Sequence, residues 1–279
     1  MLLFPPGLPF EPRFSESMFV YAAGGFEKRG QSLCNIELAR IVRFPYIPLN
    51  DSLEGNGESM LDPKTVEYFD RNLCEYSLER MDYVVNVLQR TGRPDHALVD
   101  IGCGTGNTIE MLAKTTPIRY YTGIDPSMNF LNLCRERNNC RTYLGSILDR
   151  SFIEGIPERY DFALLGAVLH HLVGKTRRQS RRYALRAIEN ALGLLKPGGI
   201  LLVAEPTFSP ALIMDGVFYL KRAMAGITSK RMPLGSHWQN IGAPVVSYYT
   251  RGQLMVMISS IPGAELTDCH FHEKSWNIF

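Results

Sequence analysis

From Ala97 onward the chain alternates short apolar runs with stretches of helical length. The runs ALVDI (Ala97 to Ile101), IRYYTGID (Ile118 to Asp125), RTYLG (Arg141 to Gly145), YDFALLGA (Tyr160 to Ala167) and GILLVAE (Gly199 to Glu205) read as strands. Apolar strands separated by helices are the pattern of a parallel sheet covered on both faces. Helices are expected over 107–114, 127–137 and 176–195, the last stopped by KPGG, where a glycine can adopt a left-handed cap. Five such steps predict a doubly wound α/β fold.

The pattern differs at both flanks. Residues 1–61 are rich in Pro and Gly, lack periodicity and end in NDSLEGNGES, which predicts an irregular segment that wraps or caps the rest. Asp62 can then cap a helix with Pro63 at its first position, and Val66, Phe69, Leu73, Tyr76, Met81, Val84 and Leu88 recur at helical spacing until Gly92 and Pro94. After Glu205 the alternation breaks over about 206–249, where ALIMDGVFYLKRAMAGI reads as a helix offering Leu212, Ile213, Val217, Phe218 and Leu220 for burial. A helix over 253–260 and the segments AELTDCHF and SWNIF complete the chain. The organisation expected is a 1–61 segment and one domain over 62–279 that carries an insertion at about 206–249.

Composition narrows the partners. At 279 residues, 45% hydrophobic and 21% charged with a net charge of +2, the chain has no global signature of a nucleic-acid binder. The cysteines Cys34, Cys74, Cys103, Cys134, Cys140 and Cys269 show no zinc spacing, and free thiols suit a reducing compartment. MLLFPPGLPFEPRF lacks a basic leader, and no apolar run approaches the roughly 20 residues of a membrane span. The expectation is a cytoplasmic protein with no metal.

Candidate chemistry starts where ALVDI runs into GCGTGN. Gly102, Gly104 and Gly106 stand between the first strand and a helix, at the edge where doubly wound sheets bind ligands. Alternate glycines let the backbone turn tightly and approach a ligand. The second strand ends in Asp125 at the same edge, where a carboxylate can accept both hydroxyls of a ribose. A dinucleotide loop, GxGxxG, would need glycine at 107, where Asn107 stands, and GxxxxGK[ST] is absent. The ligand expected is a nucleoside without a pyrophosphate.

VDIGCGTGN, GIDPS and LKPGG before an apolar strand, in that order, resemble the motifs of class I S-adenosylmethionine-dependent methyltransferases of small molecules, similar to the quinone-biosynthesis group. The resemblance runs from about Asp62 onward. It implies a Rossmann-like seven-stranded sheet with the last strand antiparallel, N-terminal and post-strand-5 caps, and S-adenosyl-L-methionine as cofactor. By the same resemblance Asp100 and the loop Gly102, Cys103, Gly104 and Gly106 face the methionine part, and Asp125 the ribose. Pro126 and Met128 border the adenine, Ser146 and Ile147 contact it, and Gly166 closes the pocket. Relatives often carry an acid after the third strand that accepts from the adenine amino group. This chain has Gly145, Ser146 and Ile147 there, with Asp149 a little beyond.

In LLGAVLHHLVG, His170 and His171 follow the fourth strand at the cofactor edge. Histidine can take a proton near neutrality. Two readings stand open: one ring closes the pocket or bonds the backbone while the other packs, or either ring acts as acid or base. No (N/D/S)PP(Y/F) stretch stands there, which argues against DNA-base and glutamine-amide methylation. Arg177, Arg178, Arg181, Arg182 and Arg186 form a basic run whose first reading is a solvated face and whose second is an anion contact. His237, Trp238, Tyr248 and Tyr249 are the aromatic candidates for lining a cap, each equally a packing residue.

The function expected is methyl transfer to a small, partly apolar metabolite by direct in-line displacement. A lipid-like or membrane-surface substrate is a further option. The alternative is a non-catalytic protein that binds S-adenosylmethionine and regulates or scaffolds a partner.

Overall fold

The computed structural model describes residues 13–23, 81–208, 211–227, 245–262 and 264–275. Strands β2 (Ala97–Ile101), β3 (Tyr120–Asp125), β4 (Arg141–Leu144), β5 (Tyr160–Gly166) and β6 (Leu195–Phe208) pair in parallel in the order β4-β3-β2-β5-β6. Consecutive residues of a strand point to opposite faces. Leu98, Leu164 and Leu202 accordingly enter one hydrophobic cluster, whereas Val99, Ile101, Leu165 and Val203 enter another. That double burial explains why these runs are apolar throughout.

Helices cover each face. The first cluster of leucines receives Val84 and Leu88 of α1 (Asp82–Thr91), Ile109 and Leu112 of α2 (Asn107–Thr115) and Leu131 and Cys134 of α3 (Met128–Asn138). The other face receives Ile153 of α4 (Arg150–Gly155), Ala184 and Ile188 of α5 (Arg177–Gly193) and Leu254 and Ile258 of α7 (Arg251–Ser259). The starts are set locally: Ser127, Asp149, Thr176 and Thr250 each accept a backbone N–H of the first turn. α6 (Ala211–Ile227) follows β6.

Three expected boundaries move. α5 ends at Gly193, and β6 already starts at Leu195, because KPGG forms a turn with Gly198 at φ +83° inside that strand rather than a helix cap. β6 continues to Phe208, so the excursion begins later than Pro206. The short α4 was not foreseen, since six residues are too few to establish a period. The proposed start of a helix at Asp62 and Pro63 lies outside the described residues, as do His237 and Trp238.

Strand order reverses between β2 and β5: the chain steps outward to β4 and then crosses to the other side of β2. Such a switch point leaves a crevice at the carboxyl ends of the two strands. Beyond β6, Arg13–Ala23 (β1) pairs antiparallel with it, and Glu265–Ser275 (β7) pairs antiparallel with β1. Among the described residues no helix is long and apolar enough to cross a membrane.

Candidate active site

The glycine loop leaves β2 with positive φ at Gly102 (74°), Gly104 (53°) and Gly106 (81°). Gly102 N and Cys103 N donate to the Ile124 carbonyl at 2.7 and 3.1 Å, tying the loop to β3. The three glycines serve different ends. A Cβ at Gly102 would lie 2.6 Å from Val168 Cγ2, and one at Gly106 2.7 Å from Cys134 Sγ, so these two permit close packing. Around Gly104 no heavy atom stands within 4 Å of that position, so the turn is open there. The Cys103 side chain is buried and lies against Gly123, so only its backbone can face a ligand.

Two carboxylates flank this loop. Asp125 Oδ2 accepts from Gly104 N at 3.0 Å and Oδ1 from Ser127 N at 2.8 Å, which locks the acid to both the loop and the start of α3. Asp100 is buried, and its carboxyl is pushed up to about 7, chiefly by burial and secondarily by the charge of Asp125. Positive charge or N–H donors brought against a buried carboxyl favour its ionised form.

Asp125 pairs in register with Leu144, and Gly145 N donates to the Asp125 carbonyl at 3.2 Å, so the turn after β4 emerges beside Pro126 and Met128. Met128 is exposed there, and Pro126 half-buried. Ser146 Oγ accepts from Leu148 N at 3.2 Å, and the Ile147 carbonyl accepts from Asn190 Nδ2 at 2.7 Å. Asp149 is committed to α4: its Oδ1 accepts from Phe152 N and Ser151 Oγ, which holds its carboxyl below the usual range.

On the other side of the switch point, β5 ends at half-buried Gly166. Ala167 follows at φ 58°, a left-handed conformation costing a non-glycine residue on the order of 1–2 kcal/mol, and its N–H donates to the Ala204 carbonyl. The turn brings three groups onto Glu205 at the sheet edge. Val168 N and Leu169 N donate to Oε1 at 2.5 and 2.6 Å, and His170 Nδ1 lies 2.7 Å from Oε2. Burial raises the Glu205 carboxyl to about 7, against the lowering effect of the Leu169 N–H, the His171 charge and the Val168 N–H. The buried His170 ring lies 3.9 Å from that of His171 and stacks on Tyr248 at 5.1 Å and 20°. His171 is half-buried.

The basic run divides. Arg178, Arg181 and Arg182 are exposed, as a solvated face requires, but Arg177 is buried. This corrects the single-face reading: Arg177 starts α5 where the chain turns inward, and its donors meet Asp215 Oδ1, Ser247 Oγ and the Tyr248 carbonyl. Of the aromatic cap candidates, Tyr249 is a core residue and Tyr248 faces His170. Sequence reasoning passed over Glu205, Arg177 and Ser247 as site residues. A carboxylate ending the otherwise apolar GILLVAE was the available signal for the first. The others had none, because their partners are distant in the chain.

A family described as methyltransferase domain matches residues 99–201, from β2 into β6. Trans-aconitate 2-methyltransferase of Rhodopseudomonas palustris is 31% identical over 115 residues, covering 39% of this chain and 38% of that one. Carboxy-S-adenosyl-L-methionine synthase of Desulfotalea psychrophila is 30% identical over 153 residues, covering 52% and 60%. The chain thus spans 38% of the length of the first of these relatives and 60% of the second. Among solved structures, a SAM-bound amino pentose methyltransferase from Micromonospora echinaspora is 24% identical, with 49% and 54% covered and a TM-score of 0.38. The glycine loop, the two acids and the β5 turn are gathered at one switch point of an α/β, Rossmann-like sheet, within the residues 99–201 that match the methyltransferase-domain family.

Proposed function

We propose that this chain is a methyltransferase that transfers a methyl group from S-adenosylmethionine to a small, partly apolar metabolite. The observation that carries this is the grouping, at one switch point, of the buried carboxyl of Asp100, a glycine turn whose open position is Gly104, and Asp125 bonded to that turn. These residues fit the cofactor by charge and by space. Asp100 receives the ammonium group of its methionine part, and the backbone of Gly102, Cys103, Gly104 and Gly106 lies along it. Asp125, at the end of β3 beside the loop, takes the ribose hydroxyls. Pro126 and Met128 border the adenine, Ser146 and Ile147 offer it hydrogen-bonding groups, and Gly166 lets the β5 end approach.

The cofactor supplies a methyl group already activated by a sulfonium, so the protein's task is alignment and exclusion of water. In this reading His170, with Nδ1 held by Glu205, and His171 beside it line the acceptor side. Either holds or takes a proton where the acceptor has to lose one. Outside the strand Arg13–Ala23, which corrects the expectation of an irregular segment throughout 1–61, that segment and the insertion beyond Phe208 act as caps, and the complete sheet has seven strands, the last antiparallel to its neighbour. Pairing of β7 along β1 supports that sheet.

A lipid-like or membrane-surface acceptor draws support from α6. Leu212, Ile213, Gly216, Tyr219, Leu220 and Ala223 occupy one exposed arc of that helix, whereas Asp215 and Phe218 turn inward to Arg177. No observation favours the non-catalytic alternative. We place the protein in the cytoplasm. Calorimetry with S-adenosylhomocysteine tests the reading: binding in the micromolar range is expected, and a folded sample that binds nothing overturns it. Incubation with methyl-labelled S-adenosylmethionine and a metabolite extract, read by mass spectrometry, then identifies the acceptor.

A further inference from the structure

Arg177 joins three parts of the chain that are remote in sequence. Its Nε donates to Asp215 Oδ1 of α6 at 2.8 Å, Nη1 to Ser247 Oγ at 2.6 Å and Nη2 to the Tyr248 carbonyl at 2.5 Å. The guanidinium also lies over the rings of Phe218 and Tyr249, at 5.7 and 5.3 Å from their centroids. Its side chain is 7% exposed, whereas that of Asp215 is 38% exposed. A buried guanidinium is costly unless its rigid fork of donors is matched, so the three acceptors are held in one arrangement.

Two of these acceptors belong to residues that hold His170. Ser247 N donates to the His170 carbonyl at 2.8 Å, and the Tyr248 ring stacks on the imidazole. The ring is therefore fixed on its edge by Glu205 and on one face by Tyr248, and the backbone of Tyr248 is in turn fixed by Arg177. α6 shares the same guanidinium through Asp215 and has a second anchor in Arg222, whose Nη1 donates to the Gly174 carbonyl at 2.8 Å.

We propose that Arg177 is a positioning residue: through Ser247 and Tyr248 it sets the orientation of the His170 ring, and through Asp215 it couples that ring to helix α6. A displacement of α6 breaks the partly exposed Asp215 arm before the buried Ser247 and Tyr248 arms. Lysine cannot replace the fork, because one ammonium is a point charge that cannot meet three acceptors in a plane. The proposal rests on the methyltransferase reading for its purpose, but its geometry can be tested without an acceptor.

The test is NMR of full-length protein with imidazole-labelled histidine, His170 being assigned from H170Q, for wild type, R177K, S247A, D215N and D215A. In R177K and S247A the His170 ring signals are expected to lose the ring-current displacement imposed by Tyr248. In D215N the same signals move in the same direction by a smaller amount. S-adenosylhomocysteine affinity stays at the wild-type value in these variants, since the glycine loop and its acids are untouched. Unmoved His170 signals in S247A, and in R177K where it folds, overturn the proposal. Unmoved signals in D215N and also in D215A, which has no acceptor for Arg177 Nε, remove its coupling to α6. A parallel loss of affinity in R177K assigns the arginine to the cofactor pocket instead. Wild-type protein that fails to bind S-adenosylhomocysteine removes the methyltransferase reading, while the NMR comparison still decides the positioning.

Discussion

His170 Nδ1 lies 2.7 Å from Glu205 Oε2, and the other carboxylate oxygen of Glu205 accepts the backbone N–H groups of Val168 and Leu169. A single buried acid thus shapes the turn after β5 and orients the ring that ends it. Glu205→Ala leaves both N–H groups without this acceptor, and an unsatisfied buried donor costs about 1–3 kcal/mol. Denaturant titration should show a destabilisation of that order or more. Glu205→Gln keeps an acceptor for the two N–H groups and should recover most of the stability. It presents a carboxamide to His170 instead of a carboxylate, so turnover should stay low once an acceptor is known.

With the ammonium contact proposed for Asp100, ligand binding would be proton-linked. The Asp100 carboxyl titrates at about 7 in the free protein, and a cationic group placed against it favours the ionised form. Binding below that pH therefore releases a proton. Affinity for S-adenosylhomocysteine should rise between pH 6 and 8 and then level off, by about tenfold per pH unit at most for one linked proton. Calorimetry in buffers of different ionisation heat measures the release. Asp100→Asn should abolish it, and an unchanged release in that variant would show that another group is responsible.

The same raised carboxyls predict how stability depends on pH. Asp100 and Glu205 both titrate near 7 when folded, whereas unfolded carboxyls titrate near 4. Between those values the folded state binds more protons than the unfolded one, so these two groups lower stability as pH rises through the window. Thermal unfolding of the ligand-free protein should fall from pH 5 to pH 8 by more in wild type than in Asp100→Asn or Glu205→Gln.

Asp125→Ala removes the acceptor of Gly104 N and Ser127 N together with the site proposed for the ribose. A hydrogen bond to a charged group contributes about 1.5–3 kcal/mol, so affinity for S-adenosylhomocysteine should fall by about tenfold or more. Stability should fall as well, because the loop loses its tie to β3's end. Unchanged affinity in a folded variant would exclude the ribose assignment.

Gly102 and Gly104 should respond differently to alanine. Both sit at positive φ, which costs a side chain about 1–2 kcal/mol. Gly102→Ala also drives a methyl into Val168, so its stability loss should be the larger. Gly104→Ala adds its methyl to open space on the ligand side, so its loss of binding should exceed its loss of stability. Thermal shift and calorimetry on the pair separate the two effects.

How far the chain can be read without its structure depends on the range of each interaction. Strands β2, β3, β5 and the inner part of β6 were legible because each is a local run buried on both faces, whereas the partly exposed β4 was legible only from its place between two helical stretches, and the order β4-β3-β2-β5-β6 came from the structure. The glycine loop and Asp125 were legible for a similar reason: backbone reversal and an acid at a strand end are local signals. The edge of helix α5 was misplaced because KPGG suits either a helix cap or a turn within an extended strand, and β-pairing with Tyr160 settled it.

The sequence by itself thus determined the five parallel strands, the glycine turn after the first of them and the place of LLGAVLHHLVG at the carboxyl end of β5, but not the strand Arg13–Ala23 inside the stretch expected to be irregular. Tertiary structure alone decided what the histidine pair meets. Glu205 lies 35 residues from His170, and Arg177 reaches partners 38 and 70 residues away in Asp215 and Ser247. Buried polar groups have to find partners wherever the fold supplies them, and no local periodicity encodes which distant acid or arginine arrives.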